Sequence, residues 1–161
     1  MAVKPIPEGY RTITPYIIVR NCAAALDWYK NAFGAEETVR CPMPDGLIGH
    51  AEIKIGDSML MLADESPQWG SKSPQSLGGT PFGICLYVLD SDASFQRAVA
   101  AGATVERPIA DQFYGDRSGT IIDPYGHKWT ISTHKREVSK EEIDRAMKEF
   151  ANKPKGEGGC S

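Results

Sequence analysis

The chain has no apolar run of membrane-spanning length, no basic stripe and no paired cysteines, and each absence removes a class of function. A transmembrane helix needs about 20 consecutive apolar residues, and nothing here approaches that. The N-terminus, Met1-Ala2-Val3-Lys4-Pro5, lacks the apolar centre of a secretory signal. Its 18 Lys and Arg are scattered among 21 Asp and Glu, so the electrostatic footprint of a nucleic-acid binder is missing. Cys22, Cys41, Cys85 and Cys160 show no C-x-x-C or other metal-like spacing. They read as incidental thiols in a reducing, cytoplasmic setting. No Gly-rich nucleotide loop follows a strand. The expected partner is therefore a small molecule, not nucleic acid or membrane.

What is present is a duplication. Residues 14–62 and 83–131 read as two copies of one βαβββ unit. In the first, the apolar strand Pro15-Tyr16-Ile17-Ile18-Val19 runs into a small-residue helix, Cys22 to Phe33, stopped by Gly34-Ala35. In the second, Ile84-Cys85-Leu86-Tyr87-Val88 runs into Ser91 to Ala101, stopped by Gly102-Ala103. Each copy closes with a hairpin: His50–Ile55 to Ser58–Leu62, and Thr120–Ile122 to Lys128–Thr133. Asn21 suits the first N-cap, and Asp90 or Ser91 the second. Residues 65–81, rich in Ser, Gly and Pro around Trp69, read as a long linker. Ser139-Lys140-Glu141-Glu142 is a capping-box pattern opening a third helix over about 139–151, with Ile143, Ala146, Met147 and Phe150 on one stripe. Residues 1–11 form a polar arm and 151–161 a Gly-rich tail expected to be flexible. The expected fold is α+β: paired βαβββ modules (about 13–64 and 82–134) forming a curled mixed sheet around a central cleft, in one domain over 12–150.

Strand alternation assigns facing. Helices cover the apolar side of each half-sheet, which takes Ile17, Val19, Ala51, Ile53, Ile55, Leu60, Leu62, Ile84, Leu86, Val88, Trp129 and Ile131. The opposite, cleft-facing set is Thr14, Tyr16, His50, Glu52, Met59, Met61, Cys85, Tyr87, Thr130 and Ser132. An apolar wall with a few polar groups suits a small, partly polar ligand.

These residues resemble the vicinal oxygen chelate superfamily of glyoxalase I, fosfomycin and bleomycin resistance proteins and extradiol dioxygenases. The resemblance rests on Ala24-Ala25-Leu26-Asp27-Trp28-Tyr29 with Phe33-Gly34-Ala35, and on Asp123-Pro124-Tyr125-Gly126-His127. Leu77-Gly78-Gly79-Thr80-Pro81 and Gln112-Phe113-Tyr114-Gly115-Asp116-Arg117 are similar to a glyoxalase-like subfamily. Some of its members carry a historical demethylubiquinone methyltransferase label. The resemblance implies a homodimer. In metal-dependent members it implies ligands from the first and last strands of each module. Those places fall here on Thr14, Met61, Gly83 and Thr130, none a normal ligand for a hard or borderline divalent ion. The reading is a protein that binds an anionic or aromatic metabolite without metal or other cofactor. The alternative is a divalent-metal lyase, isomerase or dioxygenase with a displaced site at His50 and Glu52.

Several candidates carry two readings. His50 and Glu52 suit a base with its orienting partner, two metal ligands, or a polar wall pair. Arg117 suits a clamp for an anionic ligand or an ion pair with Asp116. Tyr114, Phe113 and Trp69 suit an aromatic lid or loop packing. Cys85 faces the cleft as a nucleophile or an inert thiol. Met61 with Met59 is apolar wall. His127 falls on the Trp129 side and reads as structural, and His134 falls at the rim. The expected ligand contacts are thus Tyr16, His50, Glu52, Met61, Cys85, Tyr87, Tyr114, Arg117 and Thr130.

Overall fold

In a computed structural model describing residues 3–152, each module builds its own four-stranded sheet. The first contains β1 (Tyr16–Val19), α1 (Cys22–Phe33), β2 (Glu36–Pro42), β3 (Ile48–Ile55) and β4 (Ser58–Asp64). The second contains β5 (Gly83–Tyr87), α3 (Ser91–Ala100), β6 (Thr104–Asp111), β7 (Asp116–Ile122) and β8 (Lys128–His134). Between them lies the short helix α2 (Pro74–Leu77), and after them α4 (Lys140–Asn152). The strand orders are β1-β4-β3-β2 and β5-β8-β7-β6, the same topology twice, with one parallel pair in each mixed sheet. Neither sheet closes into a barrel.

Local chemistry explains the repeat. The Asn21 side chain accepts from the Ala24 amide at 3.2 Å, and Asp90 from the Ala93 amide at 3.0 Å, so each strand turns into a capped helix. Gly34 ends α1 at φ 68°, a left-handed conformation that costs glycine nothing. Each helix lays its apolar stripe on its own sheet, and α1 packs against α3. One core results, joining Ile17, Leu26, Tyr29, Phe33, Ile53 and Leu62 to Phe95, Ile121, Trp129 and Ile131. Most residues assigned above to the helix-covered side lie in that core, but Ile84, Leu86 and Val88, assigned to it as well, are only partly buried against it.

Polar bonds span the seam between modules. The Trp28 indole donates to the Ala101 carbonyl at 2.8 Å, and Arg97 Nε to the Ala32 carbonyl at 2.7 Å. Asp123, in the turn before β8, is 3% exposed and accepts four donors: the Tyr29 hydroxyl, the Trp129 indole and the amides of Tyr125 and His127. His127 Nε2 in turn lies 2.9 Å from the Ile18 carbonyl.

The 65–81 segment is more ordered than a linker. It holds a 3-10 turn at Pro67–Trp69 and α2, organised around Glu65. One carboxylate oxygen takes Arg20 Nε at 2.6 Å; the other takes the Ser73 amide and the Ser73 and Ser76 hydroxyls at 2.6–3.1 Å. These donors, Ser76 first, hold the Glu65 carboxyl down at about 2. The capping box of α4 is formed: the Ser139 hydroxyl accepts from the Glu142 amide at 3.2 Å and the Glu142 carboxylate from the Ser139 amide at 3.0 Å. The expected flexible tail beyond 152, with Cys160, lies outside the described residues.

Candidate ligand site

Along β3, alternation buries Ala51, Ile53 and Ile55 and turns His50 and Glu52 to the open side of the first sheet. Tyr16 on β1 and Met61 on β4 face each other in register on that side. A polar chain runs across it. The Tyr16 hydroxyl meets His50 Nδ1 at 3.2 Å, and His50 Nε2 meets Glu52 Oε1 at 2.9 Å. A neutral imidazole protonated on Nε2 satisfies both contacts: Tyr16 donates to Nδ1 and the ring donates to Glu52. The second Glu52 oxygen accepts the hydroxyl of Tyr10, which arrives from the N-terminal arm. The Tyr10 and His50 hydrogen bonds hold the Glu52 carboxyl below its usual range, although only 9% of the residue is exposed.

Two hollows flank this chain. A slot of about 180 Å³ is lined by Tyr16, Ile18, Met43, Leu47 and Trp69, with Ser71 at its edge. A larger hollow of about 520 Å³ is bounded by Ile6, Pro7, Tyr10 and Arg11 of the arm and by Thr14, Glu52 and Met61. Trp69 is thus drawn to the first module, apart from Phe113 and Tyr114, which pack edge to face at 5.2 Å in the second.

The second sheet gathers the other expected residues. Tyr87 donates to Asp116 Oδ2 at 2.7 Å, and His134 Nδ1 lies 2.8 Å from Asp116 Oδ1. Asp116 is buried, and the hydrogen bond each makes to it pushes the Tyr87 hydroxyl up to about 12 and raises His134. Tyr114 lies 3.4 Å from the Ser118 hydroxyl, Thr130 pairs with Thr120 at 3.3 Å, and Cys85 contacts Ser132 at 3.9 Å. Among the described residues no hydrogen bond links this group to the Tyr16–His50–Glu52 group.

Arg117 is a correction. It points to the helix-covered side of β7, where Nε and Nη2 grip both oxygens of Asp92 at 2.6 and 2.7 Å and Nη1 reaches Asp111 at 3.1 Å. It makes no pair with Asp116, whose carboxylate is held by Tyr87 and His134 instead. Counting back by twos from core residue Ile121 through Gly119 assigns this side. It also turns Asp116 to the open face. Asp116 and Tyr10 are the polar residues that sequence reasoning missed.

The four places implied for a superfamily metal do not fit one. Thr130 is hydrogen-bonded to Thr120, Gly83 has no side chain, and Thr14 and Met61 offer a hydroxyl and a thioether. Among the described residues no group of three or more His, Cys, Asp or Glu side chains is placed to hold an ion, and His50 and Glu52 bring no third ligand.

Comparison with known proteins settles the family. The model of the Glyoxalase/Bleomycin resistance protein/Dioxygenase superfamily matches residues 11–131. The chain belongs to this superfamily. The superfamily match spans both sheets and leaves out α4 and most of the arm. The chain is 48% identical over 138 residues to the uncharacterized protein Rv0887c of Mycobacterium tuberculosis, covering 84% of this chain and 81% of that one. Among solved structures it is similar to TioX from Micromonospora sp. ML1, with 27% identity, a TM-score of 0.63, and 77% of this chain and 98% of that one covered. A putative 3-demethylubiquinone-9 3-methyltransferase, PhnB protein, from Bacillus cereus shares the fold at 16% identity and TM-score 0.60, covering 76% of this chain and 96% of that one.

Proposed function

We propose that this protein binds a small, largely aromatic metabolite on the open face of its first sheet, without a metal ion, as a cytoplasmic homodimer. The carrying observation is the Tyr16–His50–Glu52 chain set between two hollows with apolar walls. Apolar surface supplies affinity and a few convergent polar groups fix orientation. The aromatic member of the anionic-or-aromatic pair is favoured because Arg117 is spent on Asp92 and Asp111, and Arg11, which lines the larger hollow, is paired with Asp57. Metal independence rests on the donor set described above. Dimerisation rests on exposed apolar side chains that a second copy would cover: Phe82, Tyr87 and Leu89 beside the second sheet and Met147 on α4.

The test is a screen of aromatic metabolites and their acids against metal-free protein. Binding is read from Trp69, which lines the slot while 71% exposed, and from the melting temperature. Tyr16→Ala is expected to weaken any hit about ten-fold or more, as loss of an aromatic contact and its burial would. Hits that appear only with added divalent metal, and that His50→Ala abolishes, would overturn metal independence. Light scattering at tens of micromolar reads the dimer; a monomer mass there removes it.

A further inference from the structure

The N-terminal arm crosses the ligand face yet barely packs on it. Residues 3–9 are all exposed, so the arm gains little from apolar burial. Among the described residues, two side-chain contacts tie it to the sheet. Arg11 pairs with Asp57 at 2.8 Å, but both side chains are mostly exposed, and such pairs contribute little. The other tie is the Tyr10 hydroxyl on Glu52. Beneath the arm the hollow of about 520 Å³ remains open. The arm therefore bridges the site rather than filling it, and the group it places on the site's carboxylate is the Tyr10 phenol.

We propose that Tyr10 is a built-in pseudo-ligand, holding the position on Glu52 that the hydrogen-donating head of a flat apolar ligand takes when the arm is displaced. This rests on the first-face binding reading above and adds the ligand's chemical class. An ionised carboxylate only accepts hydrogen bonds. One Glu52 oxygen takes His50, and the other is open to an outside donor once Tyr10 leaves. A phenol or aniline supplies that donor, and its ring lies over Met61, whose thioether adapts to irregular shapes. A carboxylate head meets the like charge of Glu52, while Arg11 in the same lining is paired with Asp57, so the anionic head is disfavoured. While Tyr10 is docked, ligand binds only to the fraction of molecules with the arm open, and its apparent affinity falls by that fraction.

Full-length wild type, Tyr10→Phe, Tyr10→Ala and Tyr10→Ala/Glu52→Gln are titrated with p-cresol, 4-methylanisole and 4-methylbenzoate, three probes alike except for the head group. Both Tyr10 single variants should bind p-cresol about five-fold or more tightly than wild type, as release of an intramolecular competitor requires. The double variant should lose that gain. 4-Methylanisole, with no donor, should change by less than about two-fold, and 4-methylbenzoate should bind weakest throughout. Tyr10→Phe keeps the ring, so its result stands even if Tyr10→Ala loosens the arm. Unchanged or weaker p-cresol binding in both variants overturns the pseudo-ligand and leaves the binding face standing. Failure of all three probes on every variant removes both. Tightest binding of 4-methylbenzoate reverses the ligand class.

Discussion

Single residues here divide by whether a neighbour already satisfies them. Asp123 is the most heavily committed carboxylate, with four donors converging on it from both modules. Burial pushes the ionisation of Tyr29 well up, so its hydroxyl remains a donor to Asp123. Asp123→Ala would leave these buried donors unmet at about 1–3 kcal/mol each before relaxation. We expect a loss of at least about 3 kcal/mol in urea unfolding, with Tyr29→Phe costing about 1–2 kcal/mol. A loss below about 1 kcal/mol for Asp123→Ala would show that water or repacking replaces the network. Arg117 belongs to the same class. Arg117→Ala should lower the melting temperature slightly and leave every ligand affinity of the first face unchanged; a large affinity loss would restore it to the site. Cys22, buried with its thiol pushed up to about 12, should resist alkylation in the folded protein, whereas Cys41 and Cys85 are exposed.

Elements were legible where alternation and capping agree. β1 alternates cleanly, β3 and β4 bury their helix-facing residues even though Glu52, Met59 and Ala63 of the opposite set are buried too, and Asn21, Asp90 and Ser139 cap the helices they precede. β2 and β6 escaped a sequence assignment. β2 is exposed along its whole length, and β6 nearly so, so neither carries an apolar face. β6 also contains Pro108, and its register breaks between Arg107 and Ala110, as an edge strand tolerates and a central one does not. The 65–81 segment looked structureless because its order comes from Glu65, a single polar hub. That hub makes the segment acid-sensitive. The Glu65 carboxyl is depressed from 4.5 to about 2, so its stabilising effect is complete above the ordinary carboxylate range and disappears as pH falls toward 2. Amide exchange at Ser73, whose N–H donates to Glu65, should accelerate across that interval before the core opens. Glu65→Gln should show the faster exchange already at neutral pH. Equal exchange in the variant and wild type at pH 7 would mean that Arg20 and the α2 turn hold the segment without the carboxylate.

At the scale of the whole molecule, the duplicated sequence announced two modules but not how they meet. Each module's helix needs a second apolar surface, and each finds it on the other's helix, so the core is one body. The residues expected to line one cleft accordingly fall into two groups, Tyr16, His50, Glu52 and Met61 on one face and Cys85, Tyr87, Tyr114 and Thr130 on the other. Facing along a strand follows from a period of two, whereas the angle between modules depends on side chains such as Trp28, Tyr125 and Trp129 that meet across more than 90 residues. This arrangement predicts cooperative unfolding. Trp28 and Trp129 lie at the seam, buried among aromatic rings of both modules. Parting the modules would expose Tyr29, Phe33 and Trp129 together, and burying an aromatic side chain of this kind is worth roughly 1.5–3 kcal/mol. Their fluorescence and the far-UV circular dichroism should therefore trace one coincident urea transition. A chain reduced to residues 82–152 should fail to show such a transition, because its α3 and β8 would face water where α1 now lies. Two separated transitions in the full chain, or a cooperative melt of the isolated half, would mean that each module is stable alone and that the seam serves only to orient the ligand face.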